Sequence, residues 1–229
     1  QLGRHALRHD LLDPVEATRQ EELARDLERA RRYVEALIPP PLAIGPVRTE
    51  WCFAPSAALG GDALGYQELE DGRLALYVLD VCGHGVGSAM HSASVLGLLR
   101  RRALSGVDFG SPAQVLAGLN AAFQMDDHSG LYFSIWYGVL DPEANTLLFS
   151  SAGHPPALVL DSARRVTRRL GLRNPPVGTL SEREFGEEEA SLEPGERLYV
   201  FTDGTFEVVS ADGVECGLDD LEARLLSPG

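Results

Sequence analysis

The sequence predicts an α+β domain of antiparallel sheets with helices packed outside them, and three observations predict it. Short alternating or apolar segments recur from residue 47 onward, joined by turn residues. Two consecutive helical segments interrupt them. Of the 229 residues 44% are apolar, enough to bury about 70% of the unfolded surface in one sizeable core. Hairpin-linked strands broken by a helix pair give layered sheets covered by helices.

The first element reads as a helix from Asp13 to Ile38. Asp13 can cap it, Pro14 suits its first position, and Glu16 completes a D-x-x-E capping box. Pro39, Pro40 and Pro41 end it. Leu23, Leu27, Ala30, Val34 and Leu37 form a heptad seam within it. The seam lasts about two heptads, where a sustained coiled coil has three or four. Two readings therefore stand: a helix packed on its own domain, or a stalk that dimerises or carries a signal.

Alternation over Val47–Phe53 predicts a strand with one apolar face. Asp71-Gly72 marks a hairpin between Tyr66–Leu69 and Arg73–Val81. Helices follow over Ser88–Arg102 and, capped by Ser111 with Pro112 behind it, to about Met125. Strands resume at Phe133–Leu140 and, after a turn at Asp141-Pro142, at Thr146–Ser151. Further strands are expected at Ala157–Leu160, Val166–Leu170 and Arg197–Thr202, and a last helix at Leu218–Leu226. The division this implies is a linker or regulatory helix over residues 1–40 and one domain over 41–229, with no repeat arguing for another.

Composition narrows the partners. A formal net charge of −14 repels nucleic-acid phosphates and anionic lipid faces, so neither nucleic acid nor membrane is expected. The longest apolar run, Leu74–Leu79, is far short of the roughly twenty residues that cross a bilayer. Cys52, Cys82 and Cys216 are too few for a disulfide framework, which favours a reducing cytoplasm. No signal segment opens the chain, and the start at Gln1 suggests a piece of something longer.

Two apolar segments, Arg73–Asp80 and Arg197–Asp203, each deliver an aspartate at the C-terminal end, with glycine close behind. Ending a buried strand on a carboxylate costs several kcal/mol unless a cation or several donors meet it. Asp62 follows Gly60 and Gly61, where backbone can approach a ligand. Three aspartates in glycine-rich loops are hard oxygen donors, suited to Mg²⁺ or Mn²⁺ and not to zinc. Each has a plainer reading: Asp203-Gly204 as a turn, Asp80 bonding loop amides ahead of the helix, Gly60–Asp62 as an ordinary loop. Their conjunction favours the metal.

Four stretches, Pro55–Asp62 (PSAALGGD), Leu79–Val86 (LDVCGHGV), Ser151–Pro156 (SAGHPP) and Phe201–Glu207 (FTDGTFE), together resemble the PPM-type, protein phosphatase 2C-like, metal-dependent serine/threonine phosphatases. The likeness is to the bacterial branch of sporulation stage II protein E and the stress-response regulators, and it runs from about Glu21 onward. It implies a four-layer α-β-β-α sandwich of two antiparallel sheets flanked by helix pairs, with two metal ions, Mn²⁺ or Mg²⁺, at one sheet edge. A bridging water or hydroxide would attack phosphoserine in line. By the same resemblance Asp80 bridges the metals, the Val81 carbonyl holds one, Asp62 acts directly or through water, and Asp203 completes the pair. Such metals acidify water and neutralise phosphoryl oxygens that an acidic protein repels.

Other polar residues carry alternatives. Histidine is a residue type suited to proton transfer near neutral pH, so His84 could protonate a leaving oxygen. It lies four residues beyond Asp80, where eukaryotic relatives place a catalytic histidine two beyond, so a structural role is preferred. His154, before two prolines, reads as fixing a turn, and Cys82 as a packed thiol in preference to a redox handle. Arg100–Arg102, Arg164, Arg165, Arg168 and Arg169 read as solvated faces before a phosphoprotein dock.

Two departures matter. Ala63-Leu64-Gly65-Tyr66 lacks the carboxylate that the family usually has there, and no Asp-Asp-x-Thr strand follows, since Asp219-Asp220 falls in the preceding helix. Either the sequence stops short of that strand or one metal site is incomplete. The main expectation is a phosphatase acting on a phosphoserine regulatory protein, an anti-sigma-factor antagonist. It would be the output domain of a two-component response regulator, with an upstream receiver or sensor domain and a homodimer through the first helix. The alternatives are a weakly catalytic module that binds a regulatory partner, and a hydrolase of small phosphoesters.

Overall fold

Three consecutive prolines set the first boundary. In the computed structural model, which describes residues 14–54, 59–127, 130–209, 213 and 215–226, helix α1 spans Pro14–Glu35 and stops short of Pro39. The expected cap at Asp13 lies outside the described residues. Leu27, Ala30, Val34 and Leu37 are half-buried, Ile38 is buried, and Leu37 packs against the core. Leu23, one turn earlier on the same seam, is 60% exposed. The C-terminal half of α1 thus rests on the domain, where Arg100 Nη1 donates to Leu37 O at 2.9 Å.

The strand expected over Val47–Phe53 is corrected. Only β2 (Val47–Arg48) forms, against an equally short β1 (Ala43–Ile44) that emerges from the proline run. Thr49 N donates to Leu42 O and Leu42 N to Thr49 Oγ1, closing the pair. Beyond it no strand pairing is found among the described residues, and the Trp51 indole N–H donates to Pro39 O at 2.9 Å.

The larger sheet contains β3 (Ala63–Glu68), β4 (Leu74–Val81), β5 (Phe133–Asp141), β6 (Thr146–Ala152) and β9 (Glu188–Ser191), antiparallel and in that order across the sheet. Asp71-Gly72 forms the expected hairpin between β3 and β4. One face, with Tyr77, Leu79, Ile135 and Tyr137, packs on α2 (Val86–Arg101) and α3 (Pro112–Ala122). Ser111 caps α3 as expected, accepting from Gln114 N. The other face, with Leu74, Trp136, Leu147 and Phe149, meets a smaller sheet of β10 (Arg197–Tyr199), β7 (Ala157–Leu160) and β8 (Val166–Leu170). Strand β5 is buried on both faces, which is why it reads as a continuous apolar run. The Trp136 indole N–H donates across the sandwich to Leu170 O at 2.9 Å.

The observed architecture is the expected α+β sandwich of antiparallel sheets. Among the described residues, the outer layer on the smaller sheet is one helix, α4 (Leu218–Leu226). Arg169 lies opposite Leu158 in the β7–β8 register, on the side away from Val159 and the larger sheet. It reaches Asp219 and Glu222 of α4, each at 2.6 Å. Strand β10 ends at Tyr199, short of the expected Thr202, and β9 was not expected at all: its Glu188, Glu189 and Ser191 are exposed and carry no apolar pattern.

Candidate metal centre

Two ladders deliver carboxylates to one end of the sandwich. In the β3–β4 ladder Ala63 pairs with Leu79, so the next step sets Asp62 opposite Asp80. That step is real: Val81 N donates to Gly61 O at 3.4 Å. Residue 61 must be glycine, because a Cβ there would stand 2.5 Å from Val81 O and cover that carbonyl. Alternation along β4 puts Tyr77, Leu79 and Val81 towards the helices and Asp80 on the face towards the smaller sheet. Beyond β4 the chain turns sharply into α2 through Gly83 (φ +82°) and Gly85 (φ +90°), left-handed conformations that a side chain would strain. Gly85 N donates to Leu59 O, tying this turn to the segment before Asp62.

In the smaller sheet Arg197 pairs with Leu160, Leu198 with Val159 and Tyr199 with Leu158. Beyond these pairs the ladder ends, and Asp203 comes near enough to His154 for its charge to act on the ring. Asp203 opens a one-turn 3-10 helix, Asp203–Thr205. Just before it, Thr202 Oγ1 donates to Asp62 Oδ2 at 3.1 Å, across 140 residues of sequence and between the two sheets.

The electrostatics of this end are unbalanced. Burial, above all, raises the Asp62 carboxyl, the Asp203 charge adds to the rise, and hydrogen bonds from Asp80 and Thr202 oppose it. Burial also raises Asp80, reinforced by the charge of Asp62, their shared hydrogen bond and the charge of Asp203. Two half-buried carboxyls in contact hold a proton above the usual carboxylate range, because burial and their like charges disfavour the ionised forms. Among the described residues no arginine or histidine forms an ion pair with Asp62, Asp80 or Asp203.

His154 adds an acceptor. Its Nδ1 lies 3.0 Å from Pro155 O, and since a carbonyl only accepts, the proton sits on Nδ1. Nε2 is left with a lone pair, buried and without a hydrogen-bond partner. Burial pushes this histidine down to about 4, with the turn carbonyl and Asp203 opposing, so it is neutral near neutral pH. The turn role expected for His154 is present, but it occupies only one of the two ring nitrogens.

Asp62 and Asp80 are therefore brought into contact, the Val81 carbonyl lies beside Gly61, and Asp203 comes to the same end from the other sheet. The donor set, carboxylates and a carbonyl without a cation, fits a hard divalent ion. Asp203 acts on the pair through its charge alone, and among the described residues no three Asp, Glu, His or Cys converge as a preformed ligand cage. His84 is exposed, and the glycines on either side of it carry the turn. Cys82 is half-buried, with Sγ accepting from Tyr132 N at 3.3 Å. Arg100, Arg102, Arg165, Arg168 and Arg169 are engaged within the fold. Thr202 was not singled out in the sequence; its signal is a hydroxyl directly ahead of a strand-end aspartate. Of the four matching stretches, residues 55–58 lie outside the described residues, and the rest gather at this end.

The family model described as Stage II sporulation protein E (SpoIIE) matches residues 70–228. The chain belongs to the SpoIIE family. Phosphoserine phosphatase RsbP of Bacillus subtilis (strain 168) is 30% identical over 201 residues, covering 86% of this chain and 48% of that protein. Phosphoserine phosphatase RsbU of the same organism is 21% identical over 160 residues, covering 69% and 46%. The chain thus spans about half the length of these relatives. The solved SiaA-PP2C domain of Pseudomonas aeruginosa superposes with a TM-score of 0.74 at 21% identity, over 92% of this chain and 84% of that one, a likeness of fold.

Proposed function

We propose that this SpoIIE-family domain is a metal-dependent phosphatase that hydrolyses phosphoserine on a regulatory protein. The observation that carries the reading is the Asp62–Asp80 contact: two half-buried carboxyls pressed together without a counter-charge among the described residues. Asp62, Asp80, the Val81 carbonyl and Asp203 would hold two divalent cations, Mn²⁺ or Mg²⁺. When bound, these cations supply the charge that neutralises phosphoryl oxygens and acidifies the attacking water. Asp80 gives up its proton as the site loads, so loading is favoured as pH rises. Gly61 keeps the Val81 carbonyl uncovered, and the neutral His154 presents Nε2 as an acceptor on the Asp203 side.

The substrate we favour is an anti-sigma-factor antagonist, in keeping with the phosphoserine phosphatases RsbP and RsbU. The wider setting is an upstream receiver or sensor domain in the same polypeptide, as in a two-component response regulator, acting in the cytoplasm through residues 1–40 on the domain at 41–229. No described helix is long and apolar enough to cross a membrane. Exposed Leu23 on α1 supports a homodimer through that helix, which a mass measurement with and without residues 1–38 tests.

The experiment for the activity is hydrolysis of a phosphoserine peptide or aryl phosphate with Mn²⁺ or Mg²⁺. Turnover that Asp80→Asn abolishes, with circular dichroism unchanged, supports the reading; no turnover with either metal contradicts it. One observation favours a second reading, a weakly catalytic module that binds a regulatory partner: the absence of a preformed three-ligand cage among the described residues.

A further inference from the structure

The carboxylates of the candidate centre come from two sheets that meet mainly through apolar contact. Asp62 immediately precedes β3 and Asp80 stands on β4, while Asp203 follows β10 of the smaller sheet. Between the sheets the interior is side-chain packing, with hydrogen bonds from Trp136 to Leu170, between Ser151 and Leu172 and from Arg168 to Ser191 tying the β8 side. Apolar packing is non-directional and does not by itself set the spacing of polar groups at one end. A centre that draws ligands from both sheets needs a directional tie where they meet.

Thr202 supplies one. It stands at the N-cap of the Asp203–Thr205 turn, with φ −82° and ψ 164°. A threonine in this place usually turns its oxygen back to accept from an amide of the turn. Here it makes no such bond, and its hydroxyl instead donates to Asp62 Oδ2 at 3.1 Å. The local cap has been given up for a contact with the opposite sheet. That contact fixes one oxygen of Asp62 and holds the turn carrying Asp203 against the edge carrying Asp80.

We propose that Thr202 is a positioning residue for the metal centre: its hydroxyl orients Asp62 and locks the Asp203 turn to the larger sheet, so that carboxylates of both sheets face one divalent-cation site. The inference rests on the metal-dependent reading above and goes beyond it by naming the residue that joins the two halves. Hydrogen bonds to ligating carboxylates of this kind change metal affinity by about 10- to 100-fold.

The test is the Mn²⁺ binding isotherm, read from the electron paramagnetic resonance signal of free Mn²⁺, for the wild type, Thr202→Val and Thr202→Ser. Thr202→Val replaces the hydroxyl with a methyl of similar size and weakens Mn²⁺ binding by at least about 10-fold. Thr202→Ser keeps the hydroxyl and the wild-type isotherm. With a phosphoserine peptide, the Thr202→Val loss appears in the Mn²⁺ concentration for half-activation far more than in kcat at saturating Mn²⁺. Should Thr202→Val unfold in EDTA, Thr202→Ala, which also lacks the hydroxyl, shows the same weakening. Wild-type binding by Thr202→Val, or equal weakening in Thr202→Ser, overturns the role of the hydroxyl while leaving the centre in place. A wild type that binds no Mn²⁺ overturns the centre and the inference with it.

Discussion

Two groups of carboxylates sit at opposite sides of the smaller sheet, and the fold treats them differently. On the outer side, Glu222 and Asp219 of α4 close on Arg169, and their hydrogen bonds push its guanidinium further up in pKa. At the end facing the larger sheet, Asp62 and Asp80 close on each other, with Asp203 adding charge and, among the described residues, no arginine paired with them. The first group is neutralised within the chain. The second is not neutralised by any described residue, although the chain has twenty cationic side chains. Where a fold leaves half-buried carboxyls unneutralised, the missing charge has to come from a proton or from outside.

The largest effect expected of this contrast is at Asp80. Asp80→Asn lowers metal-dependent turnover by at least about 100-fold, several kcal/mol of lost electrostatic stabilisation. In EDTA at pH ~8 the same variant melts higher than the wild type, because a neutral amide relieves the like-charge contact. Asp219→Asn shows neither change. Phosphopeptide turnover and melting curves of the two variants check this side by side.

The next effect is on pH dependence. Asp62 and Asp80 have carboxyls raised above their unfolded values, so the stability they contribute is fully present below the ordinary carboxylate range and is lost as pH rises through the folded values. The metal-free protein is accordingly expected to melt lower at pH ~8 than at pH ~5. Saturating Mn²⁺ removes or reverses that slope, since the cation replaces the proton. Equal slopes with and without Mn²⁺ would erase the distinction between the two groups.

A smaller effect falls on the outer group. Arg169→Ala leaves Glu222, which is 16% exposed, without its counter-charge, and costs about 1 kcal/mol because Arg169 itself is half exposed. Urea unfolding measures it, and turnover at saturating metal stays close to wild type. The smallest is Arg25→Ala on α1, where the pair with Glu21 is 69% exposed on both sides and worth at most ~0.5 kcal/mol.

Much of the fold was legible because its signals are local. Asp71-Gly72, the Ser111-Pro112 cap and the apolar runs at β5 and β7 each depend on a few neighbouring residues. Strand β9 was not legible: it is an edge strand that pairs through its backbone while its glutamates face solvent. Val47–Phe53 misled in the opposite sense, because alternation shows a chain able to form a strand and not whether a partner lies alongside. The same distinction governs the centre. Asp62, Asp80 and Asp203 stood out as carboxylates ending or opening apolar strands, whereas their approach depends on ladder registers set by residues far apart. Thr202 was hidden because its partner is 140 residues away.

Crystals of the protein soaked in Mn²⁺, with diffraction recorded near the manganese absorption edge, test the account most directly. Anomalous density lying among the carboxylates of Asp62, Asp80 and Asp203 is the predicted result. Density elsewhere, with these aspartates turned to arginine partners or still sharing their proton, would contradict it.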